Sequence, residues 1–370
     1  MTVATITDAS EREDTLRAIE YALDKNRMKA VFAAKLCQRF GKKLNINGFH
    51  LEVIQRHTYR CVLRYRIDAF DPDRAQEVQW RVIGKVLQAD LGEIVFDNMR
   101  QLWMNGFSRL AVDGICIPEP IEFMRSISML LQEEVPGLSA KVLLKQSAQQ
   151  EHFRQLARAL AKLHKCPIVP SRVFKVREHL LRCHPAHELL ALSCPELAGS
   201  INDLVEQAYE IEAALGDIAL VPVHADFHLG QVHLENGRAW LIDFDVLSYG
   251  DPATDLGNLL VFLKSKVRTH AGMGGMIQAF LEEYFSSMDP GIAARIPLYE
   301  GLSYLRRACK CLRLQEEGWR EKAGQMVAQG VAALDLMASR CRLEDRRRAF
   351  IDEAVAELIN AEVRDEVPRS

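Results

Sequence analysis

Between Glu11 and Phe40 the apolar residues Leu16, Ile19, Ala22, Leu23, Ala30, Ala33, Ala34 and Leu36 recur mostly at helical spacing, which predicts a helical N-terminal extension. The period then changes. In "FHLEVIQRHTYRCVLRYRIDAF" the residues Tyr59, Cys61, Leu63 and Tyr65 alternate with Arg60, Val62, Arg64 and Arg66, a two-residue period rich in β-formers that reads as strands. "VQWRVIGKVLQ" is a further strand and holds Lys85 among apolar neighbours. "GEIVFDNMRQLWMNGF" sets Val95, Met99, Leu102 and Trp103 at helix spacing and is predicted to end near Gly106. "IPEPIEFMRSISMLLQEEVPG" supplies two more strands and closes on Pro136 and Gly137, punctuation that ends an element or a lobe.

Beyond that point helical spacing dominates. "QEHFRQLARALAKLHKC" places Phe153, Leu156, Leu160 and Leu163 on one face, and "DPATDLGNLLVFLKSKV" and the tail from Leu298 to Leu358 follow the same period. The expected fold class is therefore α+β in two lobes: a helical extension over residues 1–48, a smaller β-rich lobe over 49–137 and a larger, mainly helical lobe over 138–370.

Charge and composition narrow the partners. The formal net charge is −3, with acidic and basic residues interspersed, so no broad cationic field is available to hold a nucleic acid. The run Arg340, Arg342, Arg346, Arg347, Arg348 is interrupted by Glu344 and Asp345 and reads as a solvated helix face. The N-terminal residues show no secretory signal, and no apolar run approaches the ~18 residues of a membrane helix. The 9 cysteines are scattered without metal-site spacing. These features predict a cytoplasmic protein with reduced thiols and a small-molecule partner, without nucleic acid or membrane.

The chemistry concentrates in "VHADFHLGQVHLENGRAWLIDFD". Asn236-Gly237 predicts a two-residue hairpin with a type I′ turn. Counting outward from it, Val232, Leu234, Ala239 and Leu241 share one face, and Gln231 and Asp243 fall at the open end beside the loop that carries Asp226. Carboxylates and an amide oxygen in one place are hard donors suited to Mg²⁺, which completes its shell with water and substrate phosphate. A further acidic side chain nearby can take the proton of an attacking hydroxyl, so the implied chemistry is phosphoryl transfer.

These residues resemble the aminoglycoside phosphotransferase and choline-kinase-like small-molecule kinases, which share the protein-kinase-like fold. The resemblance rests on His224, Asp226 and His228 in the catalytic-loop pattern, on Ile242, Asp243, Phe244 and Asp245 as its "IDFD" strand end, and on Gly250, Asp251, Pro252, Asp255 and Leu256 as its "GDPxxDL" segment. It extends to "LARALAKLHK", "VIGKV" and "LLQEEVPG". It implies Asp226 as the catalytic base, Asp243 and Gln231 as holders of Mg²⁺, and Lys85 on the α- and β-phosphates of ATP or GTP. It also implies a helix acid steadying Lys85, with Glu93 preferred to Asp97, and a hinge whose backbone at Glu133 and Val135 meets the adenine edge. Asp255 and His224 would brace the loop.

This sequence departs from the family twice. Gln231 stands where the family has a metal-binding asparagine, a form similar to the maltokinase-type branch, and "IQRHTYRCVLRY" contains no glycine, unlike the phosphate-covering loop of protein kinases. The expected activity is transfer of the γ-phosphoryl group to a hydroxyl of a small acceptor such as a sugar, an aminoglycoside or an amino alcohol. Two alternatives stand beside it: a catalytically inactive nucleotide-binding scaffold of the same fold, and a metal-dependent hydrolase using His224, Asp226 and His228. His164 on "LARALAKLHK" is read as a hydrogen-bonded packing residue.

Overall fold

Asp24 breaks the N-terminal helical stretch in two. Its backbone is extended and its Oδ1 accepts hydrogen bonds from the amides of Asn26 and Arg27 at 2.9 and 3.1 Å, so it ends one helix and caps the next. The computed structural model describes residues 9–147 and 149–341. The chain divides into two units, the first made of residues up to 137 together with 240–245, the second of 138–239 and the chain from 246 on.

The first unit runs α1 (Ala9–Leu23), α2 (Lys25–Phe40), β1 (Asn45–His57), β2 (Arg60–Asp71), β3 (Gln76–Val86), α3 (Ala89–Leu102), β4 (Ile115–Cys116), β5 (Pro120–Met124) and β6 (Met129–Glu133). Five of these strands form an antiparallel sheet in the order β1-β2-β3-β6-β5. The β1–β2 turn consists of Thr58 and Tyr59 alone, because His57 already pairs with Arg60. A turn this short needs no glycine-rich loop.

Strand alternation sorts the sheet into two faces. Cys61, Leu63, Tyr65 and Ile67 of β2 and Trp80, Val82 and Val86 of β3 share a core with Ile19, Ala22, Met28, Phe32 and Leu36 of the two N-terminal helices. The Tyr65 hydroxyl, deep in this core, donates to the Ala22 carbonyl at 2.7 Å, so its one polar atom is satisfied. The register pairs Val62 with Lys85, which sets Lys85 on the opposite face of the central strand. The amphipathic α3 follows, and the chain leaves it through Gly106, whose φ of 91° is open to glycine.

The second unit comprises β7 (Leu138–Ser139), α4 (Ala140–Ser147), α5 (Gln150–His164), β8 (Val173–Phe174), α6 (Val176–Leu181), α7 (His187–Ser193), α8 (Ala198–Leu215), β9 (Val221–Val223), β10 (Val232–Glu235), β11 (Arg238–Leu241), β12 (Ser248–Gly250), α9 (Ala253–Lys264), α10 (Met273–Phe285), α11 (Ile296–Leu314) and α12 (Trp319–Cys341), the last two residues of β11 belonging to the first unit. The predicted apolar face of α5 is buried at Phe153, Leu156, Leu160 and Leu163 and packs on α10. The long helical tail is two helices, parted where Gln315 and Gly318 take left-handed φ of 48° and 71°. Beyond Cys341 the tail, with most of the basic run, lies outside the described residues.

The Asn236-Gly237 turn forms as expected, with φ of 49° and 76°, the positive values a type I′ turn requires. Val232, Leu234, Ala239 and Leu241 are all buried.

Helix α9 is buried nearly all round and packs on α11. Gly257 makes that approach possible: a Cβ there would lie 2.7 Å from the Tyr299 carbonyl carbon and 2.8 Å from the Glu300 nitrogen. Both atoms are backbone and cannot swing aside. Gly257→Ala is therefore expected to destabilise the protein by roughly 1–3 kcal/mol through overpacking. A urea midpoint equal to that of the parent protein would show that the two helices part at no cost.

Candidate active site

The turn after β9 is built from the backbone outward. Ala225 has φ of +60°, a left-handed conformation that costs a residue with a Cβ roughly 1–2 kcal/mol. Three side chains hold it there. Asp255, in the first turn of α9 and fully buried, accepts from the His224 amide at 2.7 Å through Oδ2 and from the Ala225 amide at 2.8 Å through Oδ1. Arg182 donates to the Ala225 carbonyl, and the Asn258 amide donates to the Phe227 carbonyl at 2.8 Å.

The Asp255 carboxylate has one further partner. His164 Nε2 lies 3.1 Å from Oδ2, and His164 Nδ1 lies 2.7 Å from the Tyr284 hydroxyl. A carboxylate only accepts, so Nε2 carries the hydrogen in that pair. His164 is thus a packing residue with both ring nitrogens engaged, as its position on the apolar face of α5 suggested. Asp251 plays a similar bracing part: Arg295 grips it through Nε at 2.7 Å and Nη2 at 3.1 Å, and the Ala253 amide caps it at 3.0 Å.

With its backbone so fixed, the turn buries His224, Ala225, Phe227 and Leu229 and leaves Asp226 and His228 partly exposed. The Asp226 carboxylate is 20% exposed and meets two guanidinium groups, Arg182 Nη2 at 2.8 Å and Arg306 Nη1 at 3.3 Å. Burial alone would raise its pKa, but the Arg182 and Arg306 charges outweigh that and hold it well below the usual carboxylate range. Arg182 itself is lowered to about 10 by burial and by repulsion from Arg306, which still leaves it charged at neutral pH. Gln231 closes the turn: it is buried, and its amide donates to the His228 carbonyl at 2.9 Å.

In the first unit the segment Trp240–Asp245 brings two carboxylates to the face of β3 that carries Lys85. Lys85 Nζ donates to Asp243 Oδ1 at 2.6 Å and to Asp245 Oδ1 at 3.1 Å. Arg60, next to the β1–β2 turn, pairs with Asp245 and lies 3.5 Å from Asp243 Oδ1. Burial pulls the Lys85 pKa down, yet the two aspartates outweigh it and raise the value, so Lys85 stays cationic. Asp243 has φ of +69°, a region that aspartate enters more readily than most residues, and it keeps 24% of its side chain exposed.

The structure therefore joins Lys85 to Asp243, two of the candidate site residues named from the sequence. It does not join Lys85 to Glu93. Glu93 sits on α3 with 39% of its side chain exposed and forms an ion pair with Arg125 in the turn after β5. The carboxylates on Lys85 come from Asp243 and Asp245 because the left-handed bend at Asp243 carries them onto the sheet face. Glu133 ends β6 and its amide donates to the Glu119 carbonyl at 2.9 Å, while the Glu134 amide donates to the Arg81 carbonyl at 3.1 Å; Val135 follows outside any strand or helix.

Four arginines at these sites were not singled out from the sequence as functional: Arg60, Arg182, Arg295 and Arg306. Of these, only Arg60 left a trace, as a polar position in the alternation of β2. The hydrolase arrangement of His224, Asp226 and His228 has no counterpart: His228 Nδ1 accepts from the Gly230 amide at 2.9 Å, and among the described residues no three of His, Cys, Asp and Glu gather into a metal-binding group. Among the same residues no helix is long and apolar enough to cross a membrane.

The profile of the phosphotransferase enzyme family matches residues 96–295, more than half of the chain. No curated protein sequence matches. The solved structure of a choline/ethanolamine kinase family protein from Mesorhizobium loti is similar with a TM-score of 0.53 at 16% identity, covering 90% of this chain and 99% of its own. The amicoumacin kinase hAmiN, solved with AMP-PNP, Ca2+ and Ami, gives 0.53 at 15% identity, covering 84% and 96%. A thermostable mutant of the aminoglycoside phosphotransferase APH(4)-Ia, solved with ADP and hygromycin B, gives 0.52 at 14% identity over 81% and 98%. Identities this low establish the fold alone, which is kinase-like, with a β-sheet N-terminal region and a helical C-terminal part. The matched family profile goes further, and the chain belongs to the phosphotransferase enzyme family as an ATP-dependent phosphotransferase acting on hydroxyl acceptors.

Proposed function

We propose that the chain is a small-molecule kinase in which Asp226 is the catalytic base and Lys85, Asp243 and Gln231 hold the Mg-nucleotide. The observation that carries this reading is the loop around Asp226: its backbone is bolted at three residues by Asp255, Arg182 and Asn258, while the Asp226 carboxylate stays partly open to solvent. A group fixed in place yet reachable is what positioning catalysis requires. In the transfer, the acceptor oxygen forms a bond to the γ-phosphorus as the bridging bond to the leaving ADP breaks. The hydroxyl proton passes to the Asp226 carboxylate and from there to water.

On the nucleotide side, Asp243 and Gln231 offer hard oxygen donors that fit Mg²⁺, and the partly exposed Asp243 carboxylate has a face to give to it. When bound, Mg²⁺ supplies charge neutralisation on the β- and γ-phosphates. Lys85, cationic at neutral pH, grips the α- and β-phosphates. The Glu133 and Glu134 amides are committed to the Glu119 and Arg81 carbonyls, so the adenine edge of ATP, or the guanine edge of GTP, falls to the Glu133 carbonyl and the Val135 amide. Residues 49–137 then act as the nucleotide lobe behind the helical extension 1–48. Residues 138–370, apart from the segment 240–245, form the acceptor lobe of a cytoplasmic enzyme.

Calorimetric titration with ATP and with GTP, with and without Mg²⁺, tests the assignment. Asp243→Asn is expected to weaken Mg-nucleotide binding by roughly 10- to 100-fold, the scale on which altered metal surroundings act. Binding that is the same with or without Mg²⁺, or the same in the variant, removes Asp243 from the metal.

A further inference from the structure

A turn of two residues cannot wrap a nucleotide's phosphates. The β1–β2 turn is Thr58 and Tyr59 alone, without glycine, and has no spare backbone to fold over them. The strands bring side chains to that end of the sheet instead. Val62 of β2 pairs with Lys85 of β3, and alternation sets Arg60, two residues before Val62, on the face that carries Lys85. A bulge between Val53 and Gln55 shifts the register of β1, so that Gln55 pairs with Val62 and His57 with Arg60 on the same face. Gln55 Nε2 and His57 Nε2 hold each other at 2.8 Å. Arg60 is the member of this group that converges on the carboxylates of Lys85.

The convergence is close. Lys85 Nζ takes Asp243 Oδ1 at 2.6 Å, and Arg60 Nη2 lies 3.5 Å from that same oxygen while it pairs with the second oxygen of Asp245. Burial lowers the Lys85 pKa, and the Arg60 charge beside it lowers it further, so the two cations are near enough to grip one ligand. Two carboxylates balance two cations as long as both stay with them. Once Asp243 turns to Mg²⁺, Lys85 and Arg60 are left with Asp245 alone, a buried carboxylate fixed between them. The group that then restores the balance is the phosphate chain that the Mg²⁺ brings with it. Arg60 keeps 13% of its side chain exposed, so its guanidinium has a side from which that chain can approach.

We propose that Arg60 is a phosphate ligand of the nucleotide, a side chain at the end of the β1–β2 hairpin that takes the place of a glycine-rich loop. This rests on the kinase reading above and adds a residue to its nucleotide site. Lys85 holds the α- and β-phosphates, and Arg60 spans the β- and γ-phosphates. The planar guanidinium fork reaches two phosphate oxygens at once, which a lysine ammonium does not. Asp245 stays behind as the counter-ion that keeps both cations aimed.

The test is calorimetric titration of the full-length protein, parent and Arg60→Gln, with adenosine, AMP, ADP and ATP in the presence of Mg²⁺, or with the guanosine series where GTP is the nucleotide bound. The variant is expected to lose about tenfold to a hundredfold in affinity for ADP and ATP, the worth of a hydrogen bond to a charged group. Adenosine and AMP should bind it as they bind the parent. A structural role would move all four ligands together. Arg60→Lys keeps a charge beside Asp245 and covers the case in which the glutamine variant does not fold, a point read from urea midpoints; its affinity for ADP and ATP should fall several-fold with adenosine unchanged. Parent-like ATP affinity in a folded variant, or a loss that adenosine shares, overturns the role of Arg60 and leaves the kinase standing. No Mg-dependent nucleotide binding by the parent overturns the kinase reading and this inference with it.

Discussion

Asp226→Asn is expected to lower turnover by at least ~10² while Mg-nucleotide affinity stays close to that of the parent protein. The amide is nearly the same size and keeps an acceptor oxygen, so the acceptor's hydroxyl can still dock, but nothing takes its proton. The same change should be felt by the fold. Arg182 and Arg306 would face each other across a neutral side chain, with Arg182 almost wholly out of water, and removing one partner from a buried ion pair costs on the order of 3–5 kcal/mol.

The sign of the pH dependence follows from the lowered pKa of Asp226. A carboxylate held below its unfolded value of about 3.9 contributes stability that is fully present above that value and is lost as pH falls through the lower folded one. The stability gap between parent and variant should therefore be constant from about pH 5 to 8 and shrink in stronger acid. For the same reason the parent's kcat/KM should show no acid limb from Asp226 above about pH 5. Urea midpoints across this range, together with the rate profile, check both. A variant as stable as the parent at pH 7, or one that transfers phosphate at a comparable rate, would remove Asp226 from the centre of the site.

Asp255→Ala is expected to destabilise the fold at the site by roughly 3–5 kcal/mol, the sum of several orphaned buried donors. It deletes a fully buried carboxylate and orphans three donors at once: the His224 amide, the Ala225 amide and His164 Nε2. An unsatisfied buried donor costs about 1–3 kcal/mol. Hydrogen exchange separates this from general loosening, because the His224 and Ala225 amides should lose protection ahead of the amides in α5. Unchanged protection at those two positions, or a loss below about 1 kcal/mol, would mean that the left-handed bend at Ala225 is held by other contacts.

Local chemistry was legible in the sequence and long-range charge was not. The Asn236-Gly237 turn can be read from two residues because its left-handed backbone depends on them alone. The placement of Lys85 on a strand followed from two-residue alternation, and the burial of α5 from helical spacing. The partners of the arginines had no such signature. Arg306 meets Asp226 across 80 residues, Arg295 meets Asp251 across 44, and Arg60 meets Asp245 across 185. Each is one charged residue on an otherwise ordinary element until tertiary packing chooses its neighbour. Glu93 shows the converse: the sequence placed it on the right helix, but which cation it meets depends on which way that helix is turned, and it meets Arg125.

The segment 240–245 belongs to the first unit although the chain on either side of it belongs to the second. No single cut of the polypeptide therefore separates the first unit from the second. A fragment ending at Gly137 would carry Lys85 and Arg60 without the carboxylates of Asp243 and Asp245 that they meet in the folded unit. During synthesis the first unit must likewise wait for the carboxylates of Asp243 and Asp245 until more than a hundred further residues have been made. The two halves of this enzyme are thus one unit of inheritance: neither can be exchanged with a relative's as a block unless the hairpin travels with it.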